Sequence, residues 1–265
     1  WTSPNIITTG AAQSLLRSYR LNAGREIVIA GNGPLNFQLA AELLDNGAKL
    51  IAVVEASPNP FPFKIISLIK SMFYDPIMMM KGVAYFFKLK LNRVPIIFNH
   101  HVSEVSGKNP STIIVSPILD DGKLDTDKKV AFSADVLCVG YGFLSNDELP
   151  RLLGCKYEYK ETGVSKIICD KYGRSSLKEV FVIGDGAKIG GAQVATYEGV
   201  IAGNAILKDF ELKKNVSKSI KYTNKILNKK YNFQKAIWSV FKSVEIDLSF
   251  ANKETILCRC ENVTS

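Results

Sequence analysis

Glu26-Ile-Val-Ile-Ala-Gly31-Asn-Gly33-Pro-Leu-Asn36 is the stretch on which the reading of this chain turns. Residues 26–30 form a short apolar run that reads as a buried strand, and residues 31–36 break it with glycine and proline. From Leu35 the pattern becomes helical: Leu35, Leu39 and Leu43, with Ala40 and Leu44, recur at spacings of four on one face. Gly47 stands where a helix C-cap is expected, and Leu50 to Val54 is a second β-branched strand ending at Glu55. Strand, helix and strand within about thirty residues make a dinucleotide-binding βαβ unit.

Each part of that unit has a chemical reason. Gly31 permits the tight turn, and Gly33 lets the backbone approach a pyrophosphate resting on the helix N-terminus at Pro34 and Leu35. The third fingerprint position, a packing residue, is Asn36 instead of glycine. Glu55 follows 19 residues later, where a carboxylate accepts from both ribose hydroxyls and repels a 2′-phosphate. NAD or an unphosphorylated adenine nucleotide is therefore expected over NADP. The competing reading is a doubly wound domain with a vestigial nucleotide site.

Outward from this unit, residues 61–91 read as two amphipathic helices divided near Pro76, their Met and Phe residues serving as core or subunit-contact surface. Residues 94–98 look like a third parallel strand, followed by His100 and His101, the two histidines of the chain, with no evident acid–base partner. Strands are expected at 112–119 and 128–139 around Asp120-Asp-Gly122, the second ending in Gly140-Tyr141-Gly142. Another, Glu179 to Ile183, runs into Gly184-Asp185-Gly186, whose carboxylate can hold a polyol hydroxyl. A helix over roughly 191–208 opens at Gly190-Gly191-Ala192-Gln193, with amides that could face a flavin ring. The tail from 214 to 242 looks helical, with Ile220, Ile226, Leu227, Ile237, Trp238 and Phe241 as core candidates.

Composition narrows the function classes. The 265 residues carry a net charge of +9, but no helix-turn-helix, zinc finger or RNA-binding signature accompanies it, so no nucleic-acid partner is expected. The most apolar region is broken by Lys64, Lys70, Asp75, Pro76, Lys81 and Lys88 and cannot be a membrane span. Five cysteines without a disulfide-framework pattern point to a reducing, cytoplasmic setting. The chain opens on Trp1, holds methionine at 72, 78, 79 and 80 alone, and stops just past Cys258-Arg-Cys260, so it reads as a fragment of something longer.

Taken in order, Gly31-x-Gly33, Gly140-Tyr-Gly142 and Phe181-Val-Ile-Gly-Asp185 resemble the two-dinucleotide-binding-domain flavoproteins, the FAD-dependent pyridine nucleotide-disulfide oxidoreductase-like superfamily. Residues 4–16, the helical region 61–91 and Thr255-Ile-Leu-Cys-Arg-Cys260-Glu are similar to the amino-acid-oxidising branch. That branch includes opine oxidase and hydrogen cyanide synthase large subunits, the α subunits of dye-linked proline dehydrogenases, and related sarcosine oxidases.

The resemblance implies an α/β fold: a Rossmann-like NAD(P)-binding domain inserted into a partial FAD-binding domain, three-layer, with a helical C-terminal extension. The expected divisions are 1–23 as a crossing segment from a missing FAD half-domain and 24–145 as the inserted nucleotide domain. They continue with 146–210 as the end of the FAD domain, 211–257 as the helical extension, and 258–265 as the start of a truncated cysteine-rich module. The resemblance also implies that Asp185 contacts the FAD ribityl chain and that Cys258 and Cys260 offer two ligands to a [2Fe–2S] cluster, which needs four. It implies an FAD-dependent enzyme component for amino-acid or opine oxidation, working with a second flavoprotein subunit in a hetero-oligomer. The fragment alone would be inactive, lacking the FAD pyrophosphate fingerprint. No residue stands out as substrate acid or base. Two alternatives stay open: a non-catalytic adenine-nucleotide-binding subunit, and an NADH-dependent flavin reductase, which the lack of a Cys-x-x-Cys disfavours.

Overall fold

The computed structural model describes residues 5–62, 64–107, 111–159, 165–212, 217–247, 253, 255–258 and 263–264. The chain begins with β1 (Ile6–Thr8), α1 (Thr9–Tyr19), β2 (Glu26–Gly31), α2 (Pro34–Asp45) and β3 (Lys49–Glu55). It continues with α3 (Ile65–Tyr74), α4 (Pro76–Leu91), β4 (Ile96–Phe98), β5 (His100–Ser106), β6 (Ser111–Pro117), β7 (Val130–Ala134) and β8 (Val136–Gly140). The remainder comprises α5 (Glu148–Leu152), β9 (Tyr157–Tyr159), β10 (Ser165–Ile167), a 3₁₀ turn at Gly184–Gly186, α6 (Ala192–Asp209), α7 (Ser217–Val240), β11 (Ile256–Cys258) and β12 (Val263–Thr264). These residues divide into two compact units, one of Trp1–Ile69, Ile77–Gly142 and Trp238–Ser265, the other of Lys70–Pro76 and Phe143–Ile237.

The first unit is built on a five-stranded sheet in the order β1-β8-β2-β3-β4, parallel throughout. Alternation along β2 assigns its two faces. Ile27 and Ile29 pack with Leu16, Leu39, Leu43 and Leu89 of the helices. Val28 and Ala30 pack with Ile113, Val115 and Ala134 of an antiparallel sheet in the order β5-β6-β7. The result is three layers: helices, parallel sheet, antiparallel sheet. Ile27, Ile29, Leu39 and Leu43 are fully buried, each adding roughly 1.5–3 kcal/mol from apolar burial.

The βαβ unit has the elements and order read from its sequence, and β4 pairs parallel with β3. One strand expectation here needs correction. The run 128–139 is not one strand but two, β7 in the antiparallel sheet and β8 in the parallel one. The break falls at Asp135, whose Oδ2 accepts from the amides of Arg25 (3.1 Å) and Glu26 (3.0 Å) and so ties the crossover to the start of β2. His100 and His101 follow the third parallel strand, as expected, with one residue between. They open β5, paired with Pro117 and Ser116.

The second unit holds α5, the β9–β10 hairpin, α6 and α7 up to Ile237. Cys155, Ile167 and Val182 form one small core, and Val194, Ile201 and Leu227 another. Residues 179–183 do not form the strand expected of them. Val180 and Val182 exchange backbone bonds with residues 173–175 instead, leaving an isolated bridge between Arg174 and Phe181. The helices α3 and α4 divide at Pro76 as expected. On α4, Leu89 is buried and Tyr85 and Phe86 pack on the core, while Ile77, Met80, Phe87 and Leu91 are exposed. No helix among the described residues is long and apolar enough to cross a membrane.

Candidate functional site

The fingerprint turn sits at the C-terminal edge of β2, between β8 and β3, where ligands of open α/β sheets bind. Gly31 has no room for a side chain: a Cβ there would collide with the Gly140 carbonyl and the Asn36 amide. Gly33 adopts a φ of 108°, a conformation that favours glycine, and Pro34 opens α2 where its missing N–H leaves no bond unmade. Pro34 is exposed and Leu35 half-buried.

Asn36, the departure from the fingerprint, is 1% exposed and has a structural role. Its Oδ1 accepts from the Thr9 hydroxyl at 3.0 Å, and its Nδ2 donates to the Gly140 carbonyl at 3.0 Å. The Asn32 amide donates to the same carbonyl at 2.8 Å. Asn36 therefore links three chain segments at the switch point, a role that reading it as a missing glycine did not reveal.

Glu55 is fully buried. Its carboxylate accepts from Gly33 N (3.0 Å), Asn32 Nδ2 (2.8 Å) and Ser57 N (2.9 Å). Burial pushes its pKa up, against the opposing pull of these donors. The structure thus gives Glu55 a place inside the loop, holding the turn's own amides, with Asn32 and Ser57 as partners the sequence had not singled out. Beside it, Lys64 Nζ donates to the Val240 carbonyl at 2.6 Å, and burial lowers its pKa.

Gly140, Tyr141 and Gly142 leave the end of β8 at the same edge. The Tyr141 ring stacks on His101 at 4.2 Å, and its hydroxyl accepts from the Val102 amide at 3.3 Å. His100 and His101 place Nδ1 against the carbonyls of Phe98 and Val102.

In the second unit, Gly184 is buried at a φ of 58° and Asp185 is exposed at the head of the 3₁₀ turn. The Gly184 carbonyl accepts from Ala187 N and Lys188 N, and the Asp185 carbonyl from Asn146 N. Gly191, Ala192 and Gln193 are exposed where α6 begins, and no side chain caps that terminus, so its first amides are available to an acceptor. Three residues absent from the sequence reading organise this corner. Glu198 accepts from Gly184 N at 2.7 Å and from the Tyr231 hydroxyl, and Lys188 Nζ lies 4.0 Å from the Tyr231 ring centre. An i,i+14 contact to a glycine amide leaves no periodic signal in a sequence.

Among the described residues no group of three or more His, Cys, Asp or Glu could hold a metal ion. Of the expected cluster ligands, the Cys258 backbone lies in β11, paired with β12, whereas its side chain and the whole of Cys260 lie outside the described residues. Cys138, Cys155 and Cys169 are unbridged.

Comparison with known proteins gives this geometry a setting. An opine oxidase component from Rhizobium meliloti is 28% identical over 268 residues, covering 100% of this chain and 49% of that protein. Hydrogen cyanide synthase subunit HcnB of Pseudomonas aeruginosa is 26% identical, covering 100% and 57%. The chain thus spans about half the length of these relatives. Among solved structures, thioredoxin reductase of T. acidophilum superposes with a TM-score of 0.54 at 17% identity, over 79% of this chain and 58% of that one. L-proline dehydrogenase of P. horikoshii gives 0.54 at 14% identity, over 99% and 40%. A family profile described as pyridine nucleotide-disulphide oxidoreductase matches residues 5–199, and the chain belongs to that family.

Proposed function

We propose that the full-length protein is the FAD- and nucleotide-binding component of an oxidoreductase whose substrates are amino acids or opines, passing electrons to a partner subunit or other acceptor. The observation that carries this reading is the whole-chain similarity to the Rhizobium meliloti opine oxidase component, which extends beyond the family match at residue 199 to the end of the chain. FAD, when bound, supplies the two-electron chemistry of C–N oxidation. The residues present fit such a group in part. The exposed Asp185 carboxylate would hold a ribityl hydroxyl, and the uncapped α6 amides at Gly191, Ala192 and Gln193 would face the ring. Glu198 and Tyr231 hold the Gly184 loop beneath them.

At the βαβ site, Gly31, Gly33, Pro34 and Leu35 shape the cradle for NAD or an adenine nucleotide, with Gly140, Tyr141 and Gly142 at the far end of the cleft. The proposed domain divisions are those implied by the resemblance. Exposed Ile77, Met80, Phe87 and Leu91 on α4 suit contact with a second subunit, since apolar patches on one face mark interaction sites. Cys258 and Cys260 are proposed as one ligand pair of a [2Fe–2S] cluster whose other ligands lie elsewhere in the full protein. A reducing cytoplasmic compartment suits the unbridged cysteines.

A second reading, a non-catalytic adenine-nucleotide-binding subunit, is favoured by Asn36, which stands in place of the fingerprint's third glycine and is engaged with Thr9 and Gly140. Flavin absorbance of the purified full-length complex separates the two. Bleaching by an amino acid or opine is expected under the main reading, and its absence across both substrate classes would overturn it. ATP or ADP binding without bleaching by NADH would establish the second. Gly33→Val is expected to abolish nucleotide binding in either case while the domain still folds.

A further inference from the structure

The space above the fingerprint turn belongs to the chain's own C-terminal segment. In dinucleotide sites the second glycine is required because phosphate approaches its backbone where a Cβ would stand. Here two ring carbons of Trp238 lie 3.4 and 3.5 Å from the Cβ position of Gly33. An indole ring and a pyrophosphate cannot share that volume.

The residues around Trp238 are held by the loops that would hold a nucleotide. Asn32 Nδ2, which also donates to Glu55, donates to the Phe241 carbonyl at 2.9 Å. The Phe241 ring packs on Phe37 in the first turns of α2, with centroids 5.9 Å apart. Lys64 Nζ donates to the carbonyls of Val240 (2.6 Å) and Lys242 (3.2 Å). A cation at the carbonyl end of α7 is favourable for a helix terminus. Ser239 and Ser67 share a 2.9 Å hydroxyl bond. Further along, Asp247 N donates to the Gly122 carbonyl at 3.0 Å. Three separate loops of the first unit thus grip one segment of ten residues.

We propose that Trp238–Asp247 is a strap that closes the nucleotide cradle, so that strap and adenine nucleotide occupy it in turn. Lifting the strap uncovers Gly33 and frees two groups at once. Asn32 loses its bond to Phe241, and the Lys64 ammonium, released from the Val240 and Lys242 carbonyls, becomes available to a phosphate at the mouth of the site. The ligand class that can compete is therefore one carrying phosphate on an adenosine. A site open only part of the time binds with its affinity reduced by the open fraction. The proposal rests on the nucleotide-binding reading above.

The test uses the full-length protein, with ADP and NADH titrated by calorimetry into wild type and into a Trp238→Ala/Phe241→Ala variant. The variant is expected to bind ADP at least tenfold more tightly. Hydrogen exchange of the wild type with saturating ADP supplies a measurement independent of any substitution: amides of 238–247 should exchange faster with ligand than without. Equal affinity in the two proteins, or weaker binding by the variant, would overturn the strap and leave the nucleotide site standing. No binding by either would overturn both.

Discussion

Asn36 carries more of this fold than its place in a glycine fingerprint suggests. Replacing it with glycine would complete the motif and yet remove the side chain that joins the hydroxyl of Thr9 to the carbonyl of Gly140. One buried and one half-buried hydrogen bond are lost, the Thr9 hydroxyl loses its acceptor, and glycine weakens the first turn of α2. Asn36→Gly is expected to lower stability by about 2–4 kcal/mol. Urea denaturation checks this, and an unchanged midpoint would refute the bridging role. The position was legible as a departure, because motif spacing is local. Its meaning was not, because the partners lie 27 residues before and 104 after it along the chain. The same limit hid Trp238: it was read as a core residue of a helix, and its contact with Gly33 leaves no periodic trace.

At the scale of elements, the βαβ unit was written in its own residues: apolar runs for β2 and β3, four-residue spacing for α2, glycine at the turn. What failed were the runs that fit more than one pairing. Residues 128–139 alternate well enough for one strand, and the capture of the Arg25 and Glu26 amides by Asp135, at the start of β2, marks where they divide. Residues 179–183 are as β-branched as a sheet strand, but bond to 173–175. The end of β3, where Glu55 meets the β2–α2 turn, also has a pH signature. Because burial raises the pKa of Glu55, its proton is held more tightly in the folded than in the unfolded chain. The contribution is therefore fully present below the ordinary value of 4.5 and is lost as pH rises through the raised folded value. Urea midpoints measured against pH should show wild type falling relative to Glu55→Gln above 4.5. Parallel curves would show that the loop donors cancel the effect of burial.

Over the whole molecule, Cys138 reports on integrity. It lies fully buried on β8, an interior strand of the parallel sheet, and burial pushes its thiol up to about 12. A thiol so rarely ionised is a poor nucleophile. Iodoacetamide at mildly alkaline pH should leave Cys138 unmodified in the native protein and alkylate it after urea unfolding. Rapid native labelling, mapped by mass spectrometry, would contradict the placement of β8. That placement has a further consequence for how the chain comes to be folded. β8 lies between β1 and β2, yet more than a hundred residues separate it from either in synthesis. A nascent chain must therefore keep the inner edges of two apolar strands apart, waiting for a third that has not yet been made. Long-range parallel pairing of this kind is slow, and unfilled strand edges invite the wrong neighbour. For this protein the vulnerable interval is not after assembly but during translation, before Val136–Gly140 closes the gap.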